Sequence, residues 1–347
     1  MTDATPAPPA PFEPMEARLA DSLPEGEGWQ FEPKWDGFRC LAVKRPNGVE
    51  LYAKSGKPLG RYFPDIVETI AALPGDGLIL DSELAIAVGD SLSFDALQQR
   101  LHPAASRIRK LVAEAPAMTI LFDLLATPDG DSLIDLPLSQ RRSRLETFFA
   151  GNTAARLRLS PLTLDRVEAV AWLARAGGSL DGVVAKRRDL PYRPGERAMV
   201  KVKRIRSADC VVGGFRYGTD SDLVGSLLLG LFNHEGRLDH VGCTSMIASD
   251  ERPALTHRLE ALRDGPGFTG KAPGGPSRWS TERSGEFVSL RHELVVEVRY
   301  DHVTADRFRH GTRLVRWRPD KAPRQCTLDQ LEHEARPGRL IADVIGG

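Results

Sequence analysis

The chain has 347 residues and carries 47 basic side chains against 47 acidic ones. At roughly 100–200 residues per domain this is a two-domain length, three at most, and 41% hydrophobic with 27% charged residues excludes a disordered or fibrous chain. No apolar run approaches the roughly 20 residues of a membrane helix, and a neutral total weighs against a partner coated in phosphates.

Residues 1–27 read as an irregular lead-in. Its Pro/Ala-rich start has neither the cationic opening nor the apolar core of a signal or transit peptide. Short strands are predicted over Trp29–Trp35, Phe38–Lys44 and Val49–Lys54, divided by Gly37 and the turn Pro46-Asn47-Gly48. A helix over Pro64–Leu73 sets Ile66, Val67 and Ile70 on one face. Gly77–Val88 reads as a strand. Ser93 caps a helix running to Leu101, and a second helix runs on to Val112. Met118–Leu125 is a buried strand, Ser139–Phe149 and Leu164–Ala176 are amphipathic helices, and Leu180–Lys186 and Ala198–Lys203 are strands. Beyond Arg204-Ile205-Arg206-Ser207 the texture changes. Asp209–Tyr217, Ser226–Asn233, Leu238–Cys243, Glu293–Tyr300 and Thr312–Trp317 are five short strands, with one helix over Glu251–Leu262 and a Gly/Pro-rich loop over Asp264–Pro276. That pattern predicts a small barrel of the oligonucleotide-binding (OB) type. The expected fold is therefore α+β, with antiparallel sheets and flanking helices over residues 28–204 and an OB-fold barrel over 205–347.

Four cysteines, at 40, 210, 243 and 326, form no CxxC pair, so reduced thiols in a cytosolic protein are expected. Lysine is scarce: ten against 37 arginines. Four of the ten, Lys34, Lys186, Lys201 and Lys203, lie at or inside apolar strands. Acids intrude on apolar strands too, in Asp81-Ser82-Glu83, in Phe122-Asp123 and at Asp181. Any one of these strings fits a strand whose charged face meets water. Jointly they describe a pocket in which converging cations suit a triphosphate and an amine is freed as a nucleophile. Acids there suit a divalent metal, and an aromatic such as Phe122 suits a base. The common phosphate loops, GxxxxGK[ST] and GxGxxG after a strand, are absent from the sequence, as are HExxH and Cys/His zinc spacings.

In order along the chain, these strings resemble the six motifs of the covalent nucleotidyltransferases: ATP-dependent DNA ligases, RNA ligases and mRNA capping enzymes. They are Lys34-Trp35-Asp36-Gly37-Phe38-Arg39; Ala53-Lys54-Ser55-Gly56; Leu80-Asp81-Ser82-Glu83 with Phe122-Asp123-Leu124-Leu125; Asp181-Gly182-Val183-Val184-Ala185-Lys186; Lys201-Val202-Lys203; and Arg316-Trp317-Arg318-Pro319-Asp320-Lys321. Asp189-Leu190-Pro191-Tyr192-Arg193-Pro194-Gly195 and the 317–321 string look most like compact bacterial ligase C and the ligase core of ligase D.

The resemblance implies ATP as cosubstrate, Mg²⁺ or Mn²⁺ as metal and nicked duplex DNA as partner, in a monomeric repair enzyme of the cytoplasm and nucleoid. It implies that Lys34 forms the AMP adduct and that ATP meets Glu32, Arg39, Glu83, Phe122, Lys186, Lys201 and Lys203, with Arg318, Asp320 and Lys321 orienting pyrophosphate. Glu83 and Asp181 would serve the metal and Lys54 a DNA phosphate. Asp181 stands where the family usually has glutamate, Met199 where it often has tryptophan, and Ala53-Lys54 where it has Ser-Arg. ATP-dependent RNA ligation, or a related nucleotidyl transfer, is the alternative. Charge is segregated: 181–218 carries net +6 and 299–324 net +5, the distribution a DNA clamp needs.

Overall fold

The computed structural model describes residues 12–89, 91–152, 154–174, 180–274, 286–304, 306–309 and 311–332. They fall into two compact units that divide at Arg204 and Ile205.

The first unit opens with β1 (Ala17–Leu19), β2 (Trp29–Trp35), β3 (Phe38–Arg45), β4 (Gly48–Ala53), α1 (Pro64–Ala71), β5 (Ile79–Val88) and β6 (Ser91–Leu92). It continues through α2 (Phe94–Arg100), α3 (Ala105–Glu114), β7 (Ala117–Ala126), α4 (Leu138–Gly151), β8 (Leu157–Leu159), α5 (Arg166–Ala174), β9 (Leu180–Arg187) and β10 (Met199–Lys203). Pro64 starts α1, its fixed φ costing nothing at a first helical position. Ser93 caps α2 by accepting the Ala96 N–H at 3.2 Å. The end of the helix expected over Leu164–Ala176 lies outside the described residues.

Two sheets form. One has the order β1-β10-β9-β2, the other β4-β3-β5-β7-β8 with β6 on β5. Phe63, Ile66, Ile70, Leu97 and Leu145 bury the second sheet's outer face, and Ala169 and Trp172 of α5 cover the first. Between the sheets, Tyr192 and Met199 pack with Leu41, Val43, Ile79 and Leu125. One expectation fails here. The lead-in is not irregular throughout, because β1 pairs in parallel with β10, Ala17 opposite Met199 and Leu19 opposite Lys201. Three residues with no alternation carry no strand signal of their own; the exposed edge of β10 supplies it.

The second unit comprises β11 (Arg206–Tyr217), β12 (Val224–Phe232), β13 (Leu238–Thr244), α6 (Arg252–Glu260), β14 (Val288–Ser289) and β15 (Val295–Tyr300). The hairpin β16 (Val303–Thr304) and β17 (Arg307–Phe308) follows, then β18 (Arg313–Trp317) and α7 (Asp329–Glu332). The five expected strands run in the order β13-β12-β11-β15-β18. Thr312, just ahead of β18, closes the barrel onto β13. Its N–H and hydroxyl both reach Cys243 O at 3.1 Å, and its carbonyl accepts the Thr244 hydroxyl at 2.8 Å. The Gly/Pro-rich loop expected over Asp264–Pro276 runs out of the described residues after Gly274. No helix among the described residues is long and apolar enough to cross a membrane.

Candidate active site

Strand register builds the site. Gln30 lies opposite Lys186, Glu32 opposite Val184, and Lys34 opposite Gly182 across β2 and β9. On the other flank of β9, Val184 faces Lys201 and Gly182 faces Lys203 of β10. Side chains on a strand repeat every two residues, so these rows share one face. Lys34 and Lys203 therefore flank the same glycine from opposite sides. Only glycine fits there: its φ is +149°, and a Cβ would meet Val202 O at 2.1 Å. A register shift between Lys34 and Trp35 breaks the alternation at that point. Asp181 is thereby within reach of both amines. Its Oδ2 lies 2.5 Å from Lys34 Nζ and 3.2 Å from Lys203 Nζ.

This face lines a cavity of about 1120 Å³. Lys34, Glu32, Lys186 and Lys201 enter from the first sheet, and Arg39, Lys54, Glu83 and Phe122 from the second. Asp181 and Lys203 connect to it through Lys34. Lys186 is almost wholly buried and pairs with Glu32 Oε2 at 2.7 Å, while Gln30 donates to Glu32 Oε1 at 2.8 Å. The Lys186 ammonium also lies 4.7 Å from the centre of the Phe122 ring, and the Arg39 guanidinium 5.2 Å from it. Two cations thus lie against one aromatic ring. Lys201 is the amine held below its usual range, by burial and then by Lys34, Lys203 and Lys54. Lys54, more than half exposed, pairs with Glu16 at 2.8 Å.

A second layer supports the first. Asp81 and Asp123 face each other across β5 and β7, both buried. Two carboxylates in such surroundings need a cation each. Arg39 binds Asp81 through Nε at 2.8 Å and Nη2 at 2.5 Å. Arg141 binds Asp123 through Nε at 2.8 Å and Nη2 at 2.9 Å. Tyr192 lies between them. Its hydroxyl donates to Asp81 Oδ2 at 2.7 Å and accepts the Met15 N–H at 3.0 Å, and its ring is 5.6 Å from the Arg141 guanidinium. Burial works against a charged Arg39, but Asp81 outweighs it and raises its pKa. Sequence reasoning gave Arg39 to the ligand alone and passed over Tyr192, Arg141 and Gln30. The sequence signal was there: an unexplained acid in an apolar strand implies a buried partner.

The donor set suits a divalent cation. Asp181 Oδ1 is buried with no hydrogen-bond partner among the described residues, leaving its lone pairs unused. The Glu83 carboxyl is pushed up to about 7, by burial above all, with Asp36 and Asp81 adding to it against the opposing pull of Lys34 and Arg39. No cluster of three or more His, Cys, Asp or Glu that could hold a metal occurs among the described residues. Few protein ligands is the usual arrangement for Mg²⁺, which relies on one or two carboxylates plus substrate phosphates and water.

A lysine presented beside a carboxylate, in a cavity with further cations and an aromatic platform, in a chain that also carries an OB barrel, defines a covalent nucleotidyltransferase. Comparison with known proteins narrows the class. Residues 14–203 match the ATP dependent DNA ligase domain, and residues 220–321 match the ATP dependent DNA ligase C terminal region. DNA ligase C of Mycobacterium tuberculosis is 39% identical over 97% of this chain and 98% of that protein. DNA ligase C2 of Mycolicibacterium smegmatis is 40% identical over 93% and 94%. The fold is shared with a Lig E DNA ligase of known structure (TM-score 0.55, 15% identity, 87% of this chain and 99% of that one). The chain belongs to the ATP-dependent DNA ligase family.

Arg318, Asp320 and Lys321 lie in the second unit, joined in one ion-pair cluster. Arg318 pairs with Asp320 at 2.8 Å, and Asp209 of β11 takes both Arg318 (2.8 Å) and Lys321 (2.6 Å).

Proposed function

We propose that the protein seals nicks in duplex DNA by way of an AMP–Lys34 intermediate, as a monomeric repair enzyme of the cytoplasm and nucleoid. The observation that carries this reading is Lys34 itself: one quarter exposed, at the cavity wall, its amine oriented by Asp181. The Lys34 amine attacks the α-phosphorus of ATP and pyrophosphate leaves. The AMP passes to the 5′-phosphate at the nick, and the 3′-hydroxyl then displaces it. Each step is phosphoryl transfer, governed by positioning and charge neutralisation.

In this reading Phe122 stacks on adenine and Glu32 sits near its edge. Arg39 and Glu83 hold the ribose, and Lys186, Lys201 and Lys203 serve the phosphates. Arg318, Asp320 and Lys321 orient the leaving pyrophosphate. Lys54 exchanges Glu16 for a DNA phosphate. Asp181 and Glu83 would hold Mg²⁺ or Mn²⁺, whose chemistry there would be to neutralise charge on phosphoryl oxygens.

The test has two stages. Protein incubated with α-labelled ATP or GTP is digested and the labelled peptide sequenced by mass spectrometry; then nicked DNA and nicked RNA duplexes are added. AMP on Lys34, no adduct in Lys34→Ala, and joining of DNA are expected. A label retained by Lys34→Ala refutes the proposal.

A further inference from the structure

The 316–321 string is cationic by count yet neutral in place. Arg316 pairs with Glu297 at 2.7 Å, and Arg318 and Lys321 share Asp209. Asp209 and Glu297 are register partners on β11 and β15, so the two acids stand side by side beneath these cations. Asp209 offers both carboxylate oxygens to Arg318 Nη1, at 2.8 and 3.0 Å, and Oδ2 again to Lys321.

Its backbone N–H and carbonyl are both held by one side chain, Gln330. The Asp209 N–H donates to Gln330 Oε1 at 2.9 Å, and Gln330 Nε2 donates to the Asp209 carbonyl at 3.1 Å. The next residue, Cys210, is sealed in the barrel core. The acid is therefore fixed, while Arg318 and Lys321 reach it on long flexible stems.

A carboxylate accepting an arginine and a lysine together offers the chemistry of a phosphate oxygen pair. We propose that Asp209 is the resident counter-ion of a pyrophosphate seat made by Arg318 and Lys321, and that it sets the affinity of the enzyme for pyrophosphate. Both cations must leave Asp209 before they can hold a phosphate. Asp209 thus opposes pyrophosphate capture and favours release of the leaving group after lysine adenylation. It acts through the two cations and is a positioning residue.

The inference rests on the ligase reading above and is tested on the reverse of the first step. In that reaction a pyrophosphate oxygen attacks the phosphorus of AMP–Lys34. A P–O bond forms, the P–N bond breaks, and the lysine amine recovers its electron pair and a proton from water. Full-length adenylated protein is titrated with inorganic pyrophosphate and AMP loss is followed by intact mass. Asp209→Asn keeps the shape and removes the charge. It is expected to lower the half-saturating pyrophosphate about tenfold, the sign opposite to that of structural damage, while Asp209→Glu restores the parent value. Gln330→Ala, which unties the acid without touching either cation, is expected to lower it two- to threefold. An unchanged or raised half-saturation in Asp209→Asn overturns the inference; should that variant not fold, an unchanged value in Gln330→Ala does so. A parent that takes no AMP on Lys34 refutes the ligase reading instead.

Discussion

Tyr192→Phe removes one oxygen atom and tests how the cavity floor is held. The ring stays, so packing against Leu41 and Arg141 survives. Three hydrogen bonds go: the donation to Asp81, the acceptance from Met15 N–H and a long acceptance from Arg39 Nη2 at 3.5 Å. The tyrosine hydroxyl stays protonated at any working pH, because burial and Asp81 raise its pKa well above the usual value. A hydrogen bond to a charged group contributes about 1.5–3 kcal/mol, and a buried N–H left without an acceptor costs about 1–3 kcal/mol. Some relaxation at Met15 leaves a net loss of about 3 kcal/mol. For a unit of this size that lowers the melting temperature by roughly 6–12 °C. Function should respond as well. With its donor gone, Asp81 faces Asp123 with only Arg39 to answer it, and Arg39 is drawn off its position over Phe122. The KM for ATP in lysine adenylation should rise about three- to tenfold. Circular dichroism melting and single-turnover adenylation across ATP concentrations measure the two effects. A variant with the parent's melting temperature and KM would show that the Asp81–Arg39 pair holds itself, and the reasoning would fail.

Gly182→Ala should abolish adenylation while the barrel still melts normally, since the added methyl meets a backbone carbonyl where Lys34, Lys203 and Asp181 converge; intact mass after ATP incubation checks it. His240 of β13 predicts an acid sensitivity. Burial first, then Arg307 and Arg216, lowers its pKa from 6.5 to about 3. The unfolded chain therefore takes up a proton that the folded barrel refuses. Stability from this group is full above pH 6.5 and declines as pH falls toward 3, by about 2 kcal/mol at pH 5. His240→Asn should remove that part of the slope in urea titrations between pH 5 and 7.5; an undiminished slope would rule His240 out.

Strands and site strings were legible because β2 and β10 carry their own alternation, because β5, β7 and β9 are mostly apolar runs, and because charged residues inside such runs demand explanation. What pairs with what was not. Asp81 stands out along the chain, but its partners Arg39 and Tyr192 are 42 and 111 positions away. Arg141 reads as the polar side of an amphipathic helix, yet it is fully buried on Asp123. Charge counted in windows misled most. The net +5 over 299–324 suggested a bare cationic surface, whereas Asp209 and Glu297, outside that window, neutralise Arg318, Lys321 and Arg316 across the barrel strands. A window sees neighbours in sequence; a sheet makes neighbours in space.

The placing of β2 at an edge, bonded within its sheet to β9 alone, bears on how the protein comes into being. Lys34 lies on β2, but the strand that aligns it, the acid that orients it and the lysine beyond are encoded far downstream, from Leu180 to Lys203. Contacts so distant in sequence form late. During synthesis Lys34 is therefore expected to lack its sheet partner and its carboxylate until β9 has emerged. A chain broken off before Leu180 would carry Lys34 without the strand and the carboxylate that hold it, and under the proposed function it is expected to take no AMP.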